Sequence, residues 1–173
     1  MFDKKFLAPL VVALTITGTL LAQDKSQRPS PPAKAEATIA GKKVTIDYSS
    51  PRMRGRKIFG DLVPYGQVWR AGANEATTLK TDGNLVIGGT RVPAGGYTVF
   101  TLPSATGWKL IINRQTGQWG TDYDKTKDFA RIDMKTSPTS APVENFTISF
   151  DKDNNLVMEW ENTRASVDVK PAQ

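Results

Sequence analysis

The sequence predicts an all-β fold: an antiparallel β-sandwich, jelly-roll or Ig-like, with about nine short strands. Three observations carry that prediction. Wherever the chain shows a pattern, apolar residues recur with period two, not with the period of a helix. Clusters of Gly, Pro, Asn, Asp and Ser interrupt these runs roughly every eight to twelve residues. No alternation of strand and helix exists from which a parallel sheet could be built.

The elements follow in chain order. Asp3, Lys4 and Lys5 precede an apolar stretch from Phe6 to Ala22. This is the layout of a secretory signal peptide over residues 1–22, with Ala22 suited to the position before the cut and Leu20 a poor match two positions earlier. A retained membrane anchor is the competing reading, disfavoured by the short, Thr-rich run. Residues 23–37 (QDKSQRPSPPAKAEA) are polar and contain three prolines. Such a segment buries too little to offset its ordering entropy, so it is expected to be a flexible tether, with one folded domain over residues 38–170.

Val44, Ile46 and Tyr48 alternate with Lys43, Thr45 and Asp47, the pattern of a half-buried strand that stops at Ser49-Ser50-Pro51. Ile58 and Phe59 are expected to pin the following basic segment to the core. Further strands are predicted over 76–81, 85–87, 97–102, 108–113, 128–134, 143–150, 156–161 and 165–169. Asp82-Gly83-Asn84, Gly88-Gly89, 103–107 and 151–155 supply turns between them. Residues 121–127 have room for one short helical turn.

Composition narrows the chemistry. The net charge is +6, and removal of residues 1–22 takes away two lysines and one aspartate, leaving +5. The chain has no cysteine, so it has neither a disulfide framework nor a lipid attachment through Cys. It also has no histidine, which excludes Ser-His and Cys-His nucleophiles, HExxH zinc motifs and imidazole metal sites. The basic residues are scattered, without the aromatic-basic platform of a nucleic-acid binder. The exception is Arg52, Arg54, Arg56 and Lys57. If these side chains converge they form an anion site, and if they splay they are simply solvated.

The string Trp69-Arg70-Ala71-Gly72-Ala73-Asn74-Glu75-Ala76-Thr77 stands out because it sets a cation, an amide and a carboxylate among small residues between two strands. An Arg70–Glu75 pair, with Asn74 bridging to backbone groups, is expected there. In the structural reading the pair pins a loop, Trp69 fills core and Gly72 takes an unusual dihedral. Glu75→Gln would then cost about 3 kcal/mol, as when a buried Arg loses its partner. In the functional reading Arg70, Asn74 and Glu75 floor a cleft, Arg52 and Arg56 bind at its rim, and Glu75 is the only catalytic candidate. Tyr65, Trp108, Trp119 and Tyr123 are candidate stacking faces for sugars. Asp122, Asp124 and Asp128 have alternate-ligand spacing but lack the Gly and closing Glu of a calcium loop, so no metal is expected. No cofactor is implied.

The chain resembles the bacterial family catalogued as domain of unknown function 2911, from about Val44 to Phe150. The resemblance rests on Tyr48-Ser49-Ser50-Pro51, on Gly55 to Gly60, on Leu62 to Gly66 and on Pro93 to Tyr97. It is densest over Val68 to Thr77, and the 108–113 strand and Glu144 to Ile148 also fit. One departure is Ala71, where family members often carry Thr. The resemblance implies an exported, β-rich domain and no activity, so no catalytic residue transfers.

The leading functional expectation is a non-catalytic envelope module, periplasmic or secreted. Its partner would be a carbohydrate, an anionic small molecule or an envelope protein, without nucleic acid and without membrane contact beyond the signal. The alternatives are a carboxylate-based glycoside hydrolase, with Glu75 joined by Asp47, Asp61 or Glu144, and a purely structural or assembly module. The structural alternative requires Arg70 and Glu75 to be buried and mutually satisfied.

Overall fold

A computed structural model describes residues 24–172, so the expected signal peptide of residues 1–22 lies outside the described residues. The fold is all-β and antiparallel. The nine strands among the described residues are β1 (Pro32–Ile39), β2 (Lys42–Ser49), β3 (Thr78–Thr81), β4 (Leu85–Ile87), β5 (Thr90–Val92), β6 (Gly95–Pro103), β7 (Trp108–Asn113), β8 (Asp128–Phe150) and β9 (Asn155–Pro171). They form one hydrogen-bonded order, β1-β2-β3-β6-β7-β8-β9-β4-β5. The only helical pieces among the described residues are two 3-10 turns, Lys25–Gln27 and Lys125–Lys127, the second inside the segment where a helical turn is expected.

The two long strands explain how one sheet encloses a core. β8 pairs with β7 through residues 128–134, then with β9 through residues 135–150. Beyond β2, the chain runs along the far half of β8, where Phe146 N–H donates to Pro51 O and Met53 N–H to Glu144 O, each at 2.8 Å. The Tyr48 hydroxyl accepts the Ile148 N–H at 3.1 Å. The sheet therefore curls until β2 meets β8, and one hydrophobic cluster fills the interior, including Ile46, Leu79, Leu110, Phe146 and Trp160. The sequence expectation of separate strands over 128–134 and 143–150 is corrected to a single irregular strand. Its pairing with β9 slips register between Pro138 and Val143 and again between Val143 and Thr147, while the strand itself runs on.

The tether is also corrected. Residues 32–37 of the expected linker, together with Thr38 and Ile39, form β1, paired with β2 from Pro32↔Ser49 to Ile39↔Lys42. Ala35 and Ile39 are buried, and Ala33 and Ala37 pack partly against the core. This is a period-two pattern written in alanine, a residue of low strand propensity whose placement is decided by its neighbours.

Ile58 and Phe59 are buried as expected. Glu161 holds them there: its carboxylate accepts the Ile58 and Phe59 N–H groups, each at 3.2 Å. Burying two such side chains stabilises the fold by about 1.5–3 kcal/mol each. That fixes the far end of the basic segment.

Candidate functional site

The conspicuous string is a loop tied to the sheet at its first residue. Trp69 exchanges two 2.8 Å backbone bonds with Thr101 of β6. Its ring stacks on Trp160 at 5.6 Å and meets Phe146 edge-on at 4.8 Å. The chain then reverses through Ala71 (φ +48°), Gly72 (φ +150°) and Asn74 (φ +58°). A Cβ at Gly72 would lie 2.9 Å from Ser49 O, so this position is fixed by close backbone approach. Buried Thr77 closes the loop by donating its hydroxyl to Ala71 O at 2.8 Å. Ala71 itself is fully buried, so the departure from Thr at that position lies away from any solvent-borne ligand.

The expected Arg70–Glu75 pair is not formed. The left-handed residues turn the two side chains to different partners. Arg70 donates Nε to Gly72 O at 3.1 Å and has no carboxylate partner among the described residues. Glu75 instead accepts Lys25 Nζ at 2.8 Å and Arg28 Nη1 at 2.9 and 3.0 Å. The Lys25 bond, the Glu75 backbone N–H and the Arg28 guanidinium hold its carboxyl down at about 2. The Asn74 amide donates to Ser30 O at 3.0 Å. Asn74 and Glu75 thus both grip the preceding segment of the chain, residues 25–30, as a strap. Neither condition of the purely structural alternative is met, since Glu75 is 41% exposed and the pair is absent. A general acid near neutral pH needs a raised pKa, and that of Glu75 is lowered.

The strap leads to the basic loop. Met53 to Arg56 form a tight turn closed by Arg56 N–H to Met53 O at 3.1 Å. Arg54 (φ +50°) and Gly55 (φ +71°) occupy its corners, the type I′ geometry that favours glycine. Arg56 is oriented by its own backbone, with Nε on Met53 O at 2.9 Å and Nη2 on Arg52 O at 2.7 Å. Glu144 accepts the Arg54 N–H at 2.9 Å and so fixes the turn itself. Arg52, Arg54 and Arg56 converge with Pro29 and Ser30 on one hollow of about 370 Å3. None of the three guanidiniums is ion-paired to a carboxylate among the described residues. Lys57 does not line this hollow.

The other candidates separate cleanly. Trp108 is buried, whereas Tyr65 and Trp119 are exposed, and Trp119 lies opposite Glu75 in an isolated antiparallel bridge. Asp124 caps the second 3-10 turn through Thr126. Asp128 accepts the Tyr123 hydroxyl at 2.6 Å and Arg131 Nε at 2.9 Å. Burial, then the neighbouring Asp128 carboxylate, push Tyr123 up to about 12. Ser50 donates to Phe146 O at 2.7 Å and acts as a structural hydroxyl.

Sequence reasoning missed Pro29 and Ser30 as walls of the basic hollow, and Lys25 and Arg28 as the partners of Glu75. The alternating alanines of β1 were the available signal, because a strand there places residues 25–30 beside the loop. No curated protein and no solved structure matches this chain. A family profile matches residues 30–169, a span that takes in the strap's last residue, the basic loop and the string alike. The chain belongs to the family described as protein of unknown function DUF2911.

Proposed function

We propose that this protein is an exported, non-catalytic binding domain that captures an anionic ligand in the hollow of Arg52, Arg54 and Arg56. The observation that carries this reading is that three arginines, none with a carboxylate partner among the described residues, line one hollow. Leaving three like charges together is unfavourable unless an anion joins them, and arginine presents planar, multi-donor geometry suited to carboxylate, phosphate or sulfate. The tight turn and the backbone bonds of Arg56 preorganise the donors, which lowers the ordering cost of binding. The open rim suits a charged group carried on a larger molecule, such as an acidic saccharide of the envelope. Export to the periplasm or medium follows from the signal-like residues 1–22 and belongs to the same proposal.

Calorimetric titration with tripolyphosphate and with an oligouronide tests the reading. The triple variant Arg52→Ala/Arg54→Ala/Arg56→Ala is expected to bind at least roughly a hundredfold more weakly, since each charge-assisted hydrogen bond is worth about 1.5–3 kcal/mol. A charge-matched control, Lys42→Ala/Lys152→Ala/Lys170→Ala, is expected to bind as the wild type. Equal losses in both variants would mean general attraction to a basic protein and would defeat the proposal.

A further inference from the structure

A second feature points to a different ligand. Arg70 is half-buried and lines, with Val68, Phe100, Gly120, Thr121 and Tyr123, a hollow of about 190 Å3. This hollow shares no lining residue with the basic one. The guanidinium is built into place. Its Nε is fixed on Gly72 O, and its stem lies so close to Gly120 that a Cβ there would fall 2.5 Å from Arg70 Cδ. Its two Nη groups have no hydrogen-bond or carboxylate partner among the described residues. Phe100 and Tyr123 are held edge-to-face at 4.8 Å, so the aromatic wall is rigid.

We propose that this hollow is a binding site for the carboxylate of a small planar or aromatic acid. The two free Nη groups form the fork that a carboxylate meets with paired hydrogen bonds. The apolar surface of Val68, Phe100 and the Tyr123 ring favours a ring over a hydrated inorganic anion. The volume falls below that of drug-sized pockets, roughly 300–1,000 Å3, and so limits the ligand to about one ring. Tyr123 contributes its ring rather than its hydroxyl, because that hydroxyl is engaged by Asp128 and Arg131.

The test uses benzoate as probe, with acetate (charge without ring) and benzyl alcohol (ring without charge) as comparators. The whole protein is titrated while its backbone amide resonances are followed by NMR. Benzoate is expected to move the backbone amides of Val68, Arg70 and Thr121, which line the hollow, and to bind roughly tenfold or more tightly than either comparator. Arg70→Gln is expected to weaken benzoate by a similar factor. If Arg70→Gln fails to fold, Val68→Phe decides, because it fills the hollow while leaving Arg70 in place. Unchanged benzoate binding in either folded variant, or acetate binding as well as benzoate, overturns the inference. The Arg52/Arg54/Arg56 triple variant is expected to retain benzoate binding. Its loss there would put the ligand in the basic hollow and overturn this site without touching the other proposal.

Discussion

Replacing Glu75 by Gln removes the charge that clasps the N-terminal strap, and the structure sets the size of the effect. The carboxyl is held at about 2 against an ordinary 4.5, a shift that would correspond to about 3 kcal/mol if the group were fully shielded from water. It is not shielded: the side chains of Glu75, Lys25 and Arg28 are 41%, 51% and 26% exposed. Pairs of this kind contribute about 0.2–1 kcal/mol each. The two together therefore give about 1 kcal/mol, well below the 3 kcal/mol expected of a buried Arg70 partner. For a chain of this size that lowers Tm by about 2–4 °C. The pH dependence has a definite sign. The folded-state pKa is depressed, so the stabilisation is present above pH 4.5 and is lost as the pH falls towards 2. Thermal unfolding of wild type and Glu75→Gln at pH 7 and near pH 2.5 measures it, with amide exchange over residues 25–31 reporting the strap. The difference is expected to shrink at low pH, and exchange in the strap to quicken in the variant at pH 7. A loss of 3 kcal/mol or more at pH 7, or unchanged exchange in the strap, would refute the clasp.

Three further outcomes follow. Gly72→Ala combines a φ of +150° with a Cβ 2.9 Å from Ser49 O, and is expected to cost at least about 2 kcal/mol in denaturant unfolding. Thr77→Val leaves Ala71 O without its buried donor and is expected to cost about 1–3 kcal/mol, while Thr78→Val, with a longer 3.2 Å bond in a half-buried setting, costs less. In a spectrophotometric titration Tyr123 is expected to ionise near pH 12. Since its folded pKa lies above the ordinary 10, its contribution to stability is complete below pH 10 and disappears as the pH rises through 12. Tyr123→Phe removes that high-pH step.

The strand class was legible because Val44, Ile46 and Tyr48 carry large apolar side chains at period two and are buried as that pattern requires. β1 was not, because its inward residues are mostly alanines and its one proline, Pro32, stands at its first position. The length of β8 was hidden by Ser137 to Pro142, which look like a loop in isolation but lie on a continuous strand stabilised by β9. At the site, the residue types of the 69–77 string were readable and their pairing was not. Whether Arg70 meets Glu75 depends on left-handed backbone at Ala71 and Asn74, positions with no glycine to announce it. That Arg52, Arg54 and Arg56, but not Lys57, line one hollow was likewise not legible, because it depends on the turn at Arg54-Gly55 and the strap alongside it.

The central claim is that Arg52, Arg54 and Arg56 act together on one anion. Its most direct test is an NMR titration of the protein with tripolyphosphate, following the arginine Nε–H resonances and the backbone amides. The account predicts that the largest shifts cluster at Arg52, Arg54, Arg56 and Ser30 and saturate together with one dissociation constant. Shifts spread evenly over the surface lysines without saturation, or none at Arg52 to Arg56, would contradict it.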